Sequence, residues 1–176
     1  DATDASGQPV FTEIAGALLR GFGVKMKGTS STFAPRPQNQ HDPKTFWQER
    51  VFIDPMQTYI YDGCSNIFFP IHTSRKFATG VGLPGIIVQG TAVLAHAVKV
   101  LINREVGGDS FRLKILYGRF SHMVFPGTVI IVQLQGVVDQ ENGRALHFDV
   151  LNDRGQKALS NGYAFVKNDP SVSAGF

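Results

Sequence analysis

Histidine is the side chain best suited to moving a proton near neutral pH, and the N-terminus of a helix turns main-chain amides toward negative charge. Both features fall inside one stretch, Cys64 to Thr91, with the sequence CSNIFFPIHTSRKFATGVGLPGIIVQGT. His72 follows a Pro-Ile pair, and a short amphipathic run and a Gly-Leu-Pro-Gly turn come after it. An apolar, strand-like segment, Ile86 to Val88, then ends at Gln89-Gly90-Thr91, where a helix opens. A loop histidine facing glycine amides at a helix N-terminus is a general base beside an oxyanion site. His72, Gly90 and Gln89 are therefore the candidate catalytic positions. The plainer reading of His72 is a loop histidine held by a hydrogen bond. Gln89 either orients substrate or is a polar residue at a strand end. Ile67, Phe68 and Phe69 read as pocket or core wall, and three apolar residues there make a dry site suited to a bulky apolar substrate.

The remaining reactive residue types carry less. Cys64 reads as a small buried filler rather than a nucleophile. His96 lies inside a helix and reads as a core or interface histidine. His41, His122 and His147 are spread over a loop and strands, and their spacing suggests no metal site. Arg119 points to the wet face of a sheet or to a partner, or else contacts an acidic substrate group.

Composition bounds the class of molecule. A chain of 176 residues fits one domain with core enough to fold alone. Apolar content of 43% against 18% charged residues describes a globular protein, and fourteen Phe point to an aromatic-lined core or pocket. The formal charge of +3 comes from basic residues that are scattered, not gathered in a patch or stripe, which argues against a nucleic-acid partner. The single cysteine excludes an intramolecular disulfide framework and a cysteine-rich zinc site, and the default compartment is cytoplasmic or otherwise intracellular. No apolar run reaches the roughly 18 residues of a membrane span. The chain starts at Asp1 without a methionine, so removal of a leader stays open.

Periodicity supplies the elements that must position these residues. Residues 1–9 are small and polar and read as a frayed end. Val10 to Phe22 carries Val10, Phe11, Ile14, Leu18 and Phe22 at helical spacing, and Lys27 to Lys44 reads as a polar surface connector. Phe46 to Ile53 reads as a strand, Asp54-Pro55 as a helix start with Asp54 as the cap, and Asp62 to His72 as turn-rich. Thr91 to Val106 is the strongest helix, with Val93, Leu94, Ala97, Val98 and Leu101 as its buried stripe. Lys99, Arg104 and Glu105 mark its wet end, and Gly107-Gly108 stop it. The period then changes to 2, giving strands at Phe111–Met123, Thr128–Val138, Ala145–Asn152 and Lys157–Lys167 joined by turn-rich hairpin connections. One long buried helix followed by a strand meander is an α+β layout, an antiparallel sheet wrapped around the helix at 91–106.

Two groups of residues resemble the MaoC-like family of hot-dog proteins. The first is Pro70-Ile71-His72, Phe77-Ala78, Gly82 and Gln89-Gly90-Thr91, against a family pattern of S-G-D-x-N-P-x-H, then F-A, then a segment entering the central helix. The second is Arg119-Phe120-Ser121 with Val124-Phe125-Pro126-Gly127, and His147-Phe148-Asp149-Val150 through Asn152-Arg154-Gly155 is similar to the last hairpin. Thr73-Ser74-Arg75 and Leu83-Pro84-Gly85 resemble most the dehydratase domain of fungal fatty-acid synthase. The resemblance covers 46–167 as a single hot-dog domain, with 1–45 as helix and connector and 168–176 as a tail.

In such enzymes an aspartate and a histidine move protons and water at the α and β carbons of a β-hydroxyacyl or enoyl thioester, and a helix N-terminal amide holds the thioester oxygen. The resemblance makes His72 the family histidine and Gly90 the oxyanion amide. At the family's aspartate and asparagine positions, however, stand Ile67 and Phe69, which neither titrate nor hydrogen-bond as those residues do. Asp62 reaches the site only if the loop shifts. Three readings follow. One is a dehydratase or hydratase using His72 with a substitute acid or water. Another is an isomerase or cyclase of a fungal secondary-metabolite pathway, using the lone histidine in an aromatic pocket on a polyketide-derived carbonyl compound. The third is a non-catalytic acyl-binding subunit. No nucleotide or metal cofactor is implied. The partners expected are a small acyl or polyketide substrate and a second copy of the chain in a homodimer, because hot-dog domains hide a sheet edge by pairing.

Overall fold

A computed structural model describes residues 1–16 and 45–169, and the chain divides into two units, Asp1–Gln38 and Asn39–Phe176. In the first unit, Ala2–Thr3 (β1) and Pro9–Phe11 (β2) pair antiparallel. The expected frayed end is thus a hairpin, and the helix expected from Val10 is a strand at its start; its residues 17–22 and the connector 27–44 lie outside the described residues. The physical reason is local. The Asp4 carboxylate accepts from the Ser6 and Gln8 amides at 2.9 Å each, and Gly7 takes φ +82°, so the turn chemistry outweighs the helical spacing.

The second unit begins with Trp47–Phe52 (β3), whose inward and outward residues alternate as a half-covered strand requires. A helix, Gln57–Ser65 (α1), follows, starting two residues later than Asp54-Pro55 suggests. The Asp54 carboxylate still accepts from the Met56 amide at 2.7 Å, but it closes a turn ahead of the helix and does not cap it. The helix also runs through Asp62, into what reads as a turn in the sequence, and stops where Asn66 adopts φ 56°. Pro70–His72 forms a 3-10 turn and Arg75–Gly80 (α2) a short helix capped by the Ser74 side chain, which accepts from the Phe77 amide at 3.3 Å. Gly90–Glu105 (α3) is the long helix, offset by one residue from its sequence reading.

After a 3-10 turn at Ser110–Arg112 come Leu113–Phe120 (β4), Val129–Gln140 (β5), Gly143–Leu151 (β6) and Lys157–Lys167 (β7). The five-stranded antiparallel sheet has the order β3-β5-β6-β7-β4. The segment between β4 and β5 is therefore not a hairpin: β4 pairs with β7 and β5 with β3. Pro126-Gly127 marks a reversal of direction, and turn chemistry alone does not select the strand that receives it. The Ile86–Val88 segment, strand-like in sequence, forms no strand and lies outside the sheet.

The core sits between the sheet and α3. Ala92, Val93, Ala97, Val100 and Leu101 of the helix pack against Val132, Leu134, Leu146, Phe148, Val150 and Leu159 of the sheet. Of the expected stripe, Leu94 and Val98 are only half-buried against this core. The helix's C-terminal end is not simply wet. Trp47 Nε1 donates to the Glu105 carboxylate at 2.8 Å, Arg104 stacks on the Trp47 ring at 4.5 Å, and Arg144 donates to the Glu105 carbonyl at 2.7 Å. This fastening fixes one end of α3 against β3 and β6, and the other end opens at Gly90.

Candidate active site

The Pro70 ring sets the local geometry around His72. Phe69 before it is held extended at φ −130°, and the proline occupies the first position of the 3-10 turn, where its missing N–H costs nothing. His72 Nδ1 lies 2.8 Å from the carbonyl oxygen of Ile87. A carbonyl can only accept, so Nδ1 carries the proton in this contact and the neutral ring keeps its Nε2 lone pair free to take another. The Ile87 amide in turn donates to the Ile71 carbonyl at 3.3 Å, and the Val88 amide to the Val124 carbonyl at 2.8 Å. The apolar segment leading to α3 is thus the clamp that orients the histidine. The Phe69 ring meets His72 edge-on at 6.1 Å and Phe77 at 6.2 Å, so an aromatic group borders the imidazole.

Gly90 opens α3. The Gln89 carbonyl accepts the first helical bond, from Val93 at 3.1 Å. In a trans peptide the next N–H points the opposite way from that carbonyl, so the Gly90 amide is directed out of the helix N-terminus, along the positive end of its dipole. A Cβ added at Gly90 would lie 3.0 Å from the Phe120 ring. Glycine here lets the Phe120 ring pack closely against the helix entry. Phe120 thus borders Gly90, although the sequence reading did not select it. It stood in view within Arg119-Phe120-Ser121, but only the pairing of β4 with β7 reveals which face it takes.

Strand alternation then puts Arg119 on the face opposite Phe120, exposed and away from Gly90. Ile67, Phe68 and Phe69 are all exposed, at 51%, 71% and 49%, and Phe69 is the member in contact with His72. Gln89 is turned inward and is 3% exposed. Its Nε2 donates to the Thr58 carbonyl at 2.9 Å and to the Asp62 carboxylate at 2.5 Å. Asp62, also 3% exposed, is therefore gathered to the entry of α3 through Gln89.

Cys64 is exposed, not buried, because α1 carries it on its outer side. His96 is half-buried on α3, and burial together with nearby Lys99 pulls its pKa below the usual imidazole value. His147 is buried edge-on to Tyr163 at 5.2 Å, and His122 Nδ1 contacts the Lys157 carbonyl at 2.9 Å. His41 lies outside the described residues. Among the described residues no group of His, Cys, Asp and Glu is placed to hold a metal ion, and no helix is long and apolar enough to cross a membrane.

A five-stranded antiparallel sheet around one buried helix is the hot-dog fold. A MaoC-like dehydratase from Phytophthora capsici superposes with a TM-score of 0.69 at 24% identity, over 81% of this chain and 46% of that one. The (R)-hydratase of A. caviae involved in PHA biosynthesis does so with a TM-score of 0.60 at 21% identity, over 72% of this chain and 97% of that one. The family model for the MaoC like domain matches residues 36–154, so the chain belongs to the MaoC-like family. Among curated proteins it is similar to the peroxisomal enoyl-CoA hydratase 2 of Arabidopsis thaliana, 28% identical over 93% of this chain and 53% of that protein. It is also similar to the fatty acid synthase beta subunit pkiC of Emericella nidulans, 38% identical over 45% of this chain. The chain spans about half the length of the plant hydratase and 4% of the synthase subunit.

Proposed function

We propose that this chain is a hydro-lyase that adds water to an enoyl carbonyl compound, or removes it from the β-hydroxy form, with an acyl thioester or polyketide-derived compound as substrate. The observation that carries this reading is the His72–Ile87 contact, which leaves Nε2 as a base on a loop tied to the segment that leads into α3. In the hydration direction Nε2 takes a proton from water as its oxygen bonds to the β carbon. The carbonyl oxygen gains the negative charge and is met by the Gly90 amide. The imidazolium then returns its proton to the α carbon, so one histidine balances both transfers. Dehydration runs the same steps backward. Ile67, Phe68 and Phe69 form the apolar wall for the acyl chain, and Arg119, on the opposite face of β4 from Phe120, serves a partner. The working unit is a homodimer, since apolar side chains near the site stand open to solvent. The steps call on no cofactor.

A second reading, an isomerase or cyclase, is favoured by one observation: Phe69, at the position of the family's asparagine, presents a ring edge to His72. Proton transfer next to a carbonyl needs only the lone histidine and a dry wall. Turnover of crotonyl-CoA and longer enoyl-CoA thioesters, followed by loss of enoyl absorbance, separates the two. We expect hydration by the native chain and a fall of about 10²–10⁴-fold in kcat for His72→Ala. No hydration by the native chain, on any chain length, would replace the hydro-lyase by the isomerase or cyclase.

A further inference from the structure

A buried polar group joins α1 to the entry of α3 without any use in the steps above. Thr58, Asp62 and Gln89 are 0%, 3% and 3% exposed. Gln89 Nε2 spans the Thr58 carbonyl and the Asp62 carboxylate, at 2.9 and 2.5 Å. Both partners are acceptors, so the orientation of the Gln89 amide is fixed by chemistry. Its Oε1, and the Thr58 hydroxyl oxygen, are buried with no hydrogen-bond partner. Unpartnered buried polar atoms oppose folding, and apolar side chains would pack this region without them. A cluster that gives up stability at the entry of α3 suggests a role in geometry.

We propose that Gln89 and Asp62 are positioning residues that fix the direction of the Gly90 amide; the proposal rests on Gly90 being the oxyanion donor. The reason is covalent. The Gly90 N–H and the Gln89 carbonyl share one peptide plane. That plane is held on one side by the carbonyl's bond to the Val93 amide and on the other by the Gln89 side chain, locked to α1. Two anchors leave the plane no rotation, so the donor is aimed before charge develops and needs no reorganisation when it does. Gln89 thus acts on the reaction through Gly90 rather than by touching substrate. Asp62 acts through Gln89, and its carboxylate oxygen serves as an acceptor rather than as the missing acid.

The two roles of Asp62 separate by substitution. Asp62→Asn keeps an oxygen able to accept from Gln89 but removes proton transfer. Gln89→Leu with Asp62→Leu removes the lock while leaving no unpaired charge. Two readouts are taken on the full chain: ¹⁵N relaxation at the Gly90 amide, with Leu101 as an internal reference, and kcat and KM for enoyl-CoA hydration. We expect a rigid Gly90 in the native chain, with an order parameter of about 0.85, and a fall below about 0.6 in the double variant while Leu101 stays rigid. In the same variant kcat falls at least tenfold with KM nearly constant, and Asp62→Asn retains most of the native kcat. A Gly90 as rigid in the double variant as in the native chain would overturn the proposal. So would loss of hydration in Asp62→Asn with Gly90 still rigid, since that would make Asp62 the acid itself. An inactive native chain would remove the hydro-lyase reading, and the relaxation data would still judge the lock.

Discussion

Imidazole starts from one intrinsic pKa, about 6.5, and the surroundings of each ring decide its use. At His72 the protein spends a main-chain carbonyl to choose the tautomer. At His96 it offers burial and a neighbouring cation, Lys99, both of which disfavour the charged ring. The folded chain therefore binds the His96 proton less readily than the unfolded chain does. Stability from this residue is complete above the unfolded value and is lost as pH falls below it toward the depressed folded value. Thermal midpoints at pH 7.5 and pH 5 should show a smaller acid drop in His96→Gln than in the native chain; equal drops would remove His96 as a contributor. The residue scale also shows what sequence spacing can carry. His72 and Gly90 stand out because residue type, proline and helix entry fall within one stretch. The Asp62–Gln89 bond spans 27 residues and depends on α1 extending through a segment whose glycine and polar residues suggest turns. Cys64 failed as buried filler for the same reason.

Among the elements, α3 was legible to within one residue because a 16-residue helix facing a core repeats its apolar signal many times. The strands were legible as strands, while their partners were not. Period 2 identifies the face of a strand but holds no information on which strand lies beside it, so the pairing of β4 with β7 had to come from the structure. That pairing is what brings Phe120 against Gly90, and it leads to a test at this scale. Gly90→Ala introduces a Cβ 3.0 Å from the Phe120 ring. The ring must give by a few tenths of an ångström or the helix entry must shift, and we expect a shift of the entry that carries the amide with it. A lost oxyanion donor costs about 10²–10³-fold in kcat elsewhere, and a displaced one should cost at least about tenfold here. Phe120→Ala opens the space again. In enoyl-CoA hydration assays Gly90→Ala with Phe120→Ala should therefore be faster than Gly90→Ala alone. A double variant slower than both singles would mean that the ring contributes by contact with substrate and not through the fit against Gly90.

At the scale of the molecule, an exposed apolar surface calls for a cover. Phe111, Ile115, Leu116 and Phe120 are exposed in and just before β4, which is an edge of the sheet. Ile67, Phe68, Phe69, Phe77 and Val81 are exposed on the segments around His72. A lone soluble domain seldom leaves such a surface open, and an edge strand with free main-chain groups is a template for another strand. Phe120 joins the two sets, since it lies on β4 and borders Gly90. A second copy seated along β4 would therefore cover the edge and close the site in one step. A twofold arrangement lets each protomer do this for the other. If so, assembly and turnover are a single equilibrium. Light scattering should give twice the 19.2 kDa protomer mass at micromolar concentration. On dilution the loss of mass and the loss of specific activity should follow the same curve. A mass of one protomer with full activity would show that the apolar rim belongs to the substrate alone, and that His72, Gly90 and Phe120 make a complete site within one chain.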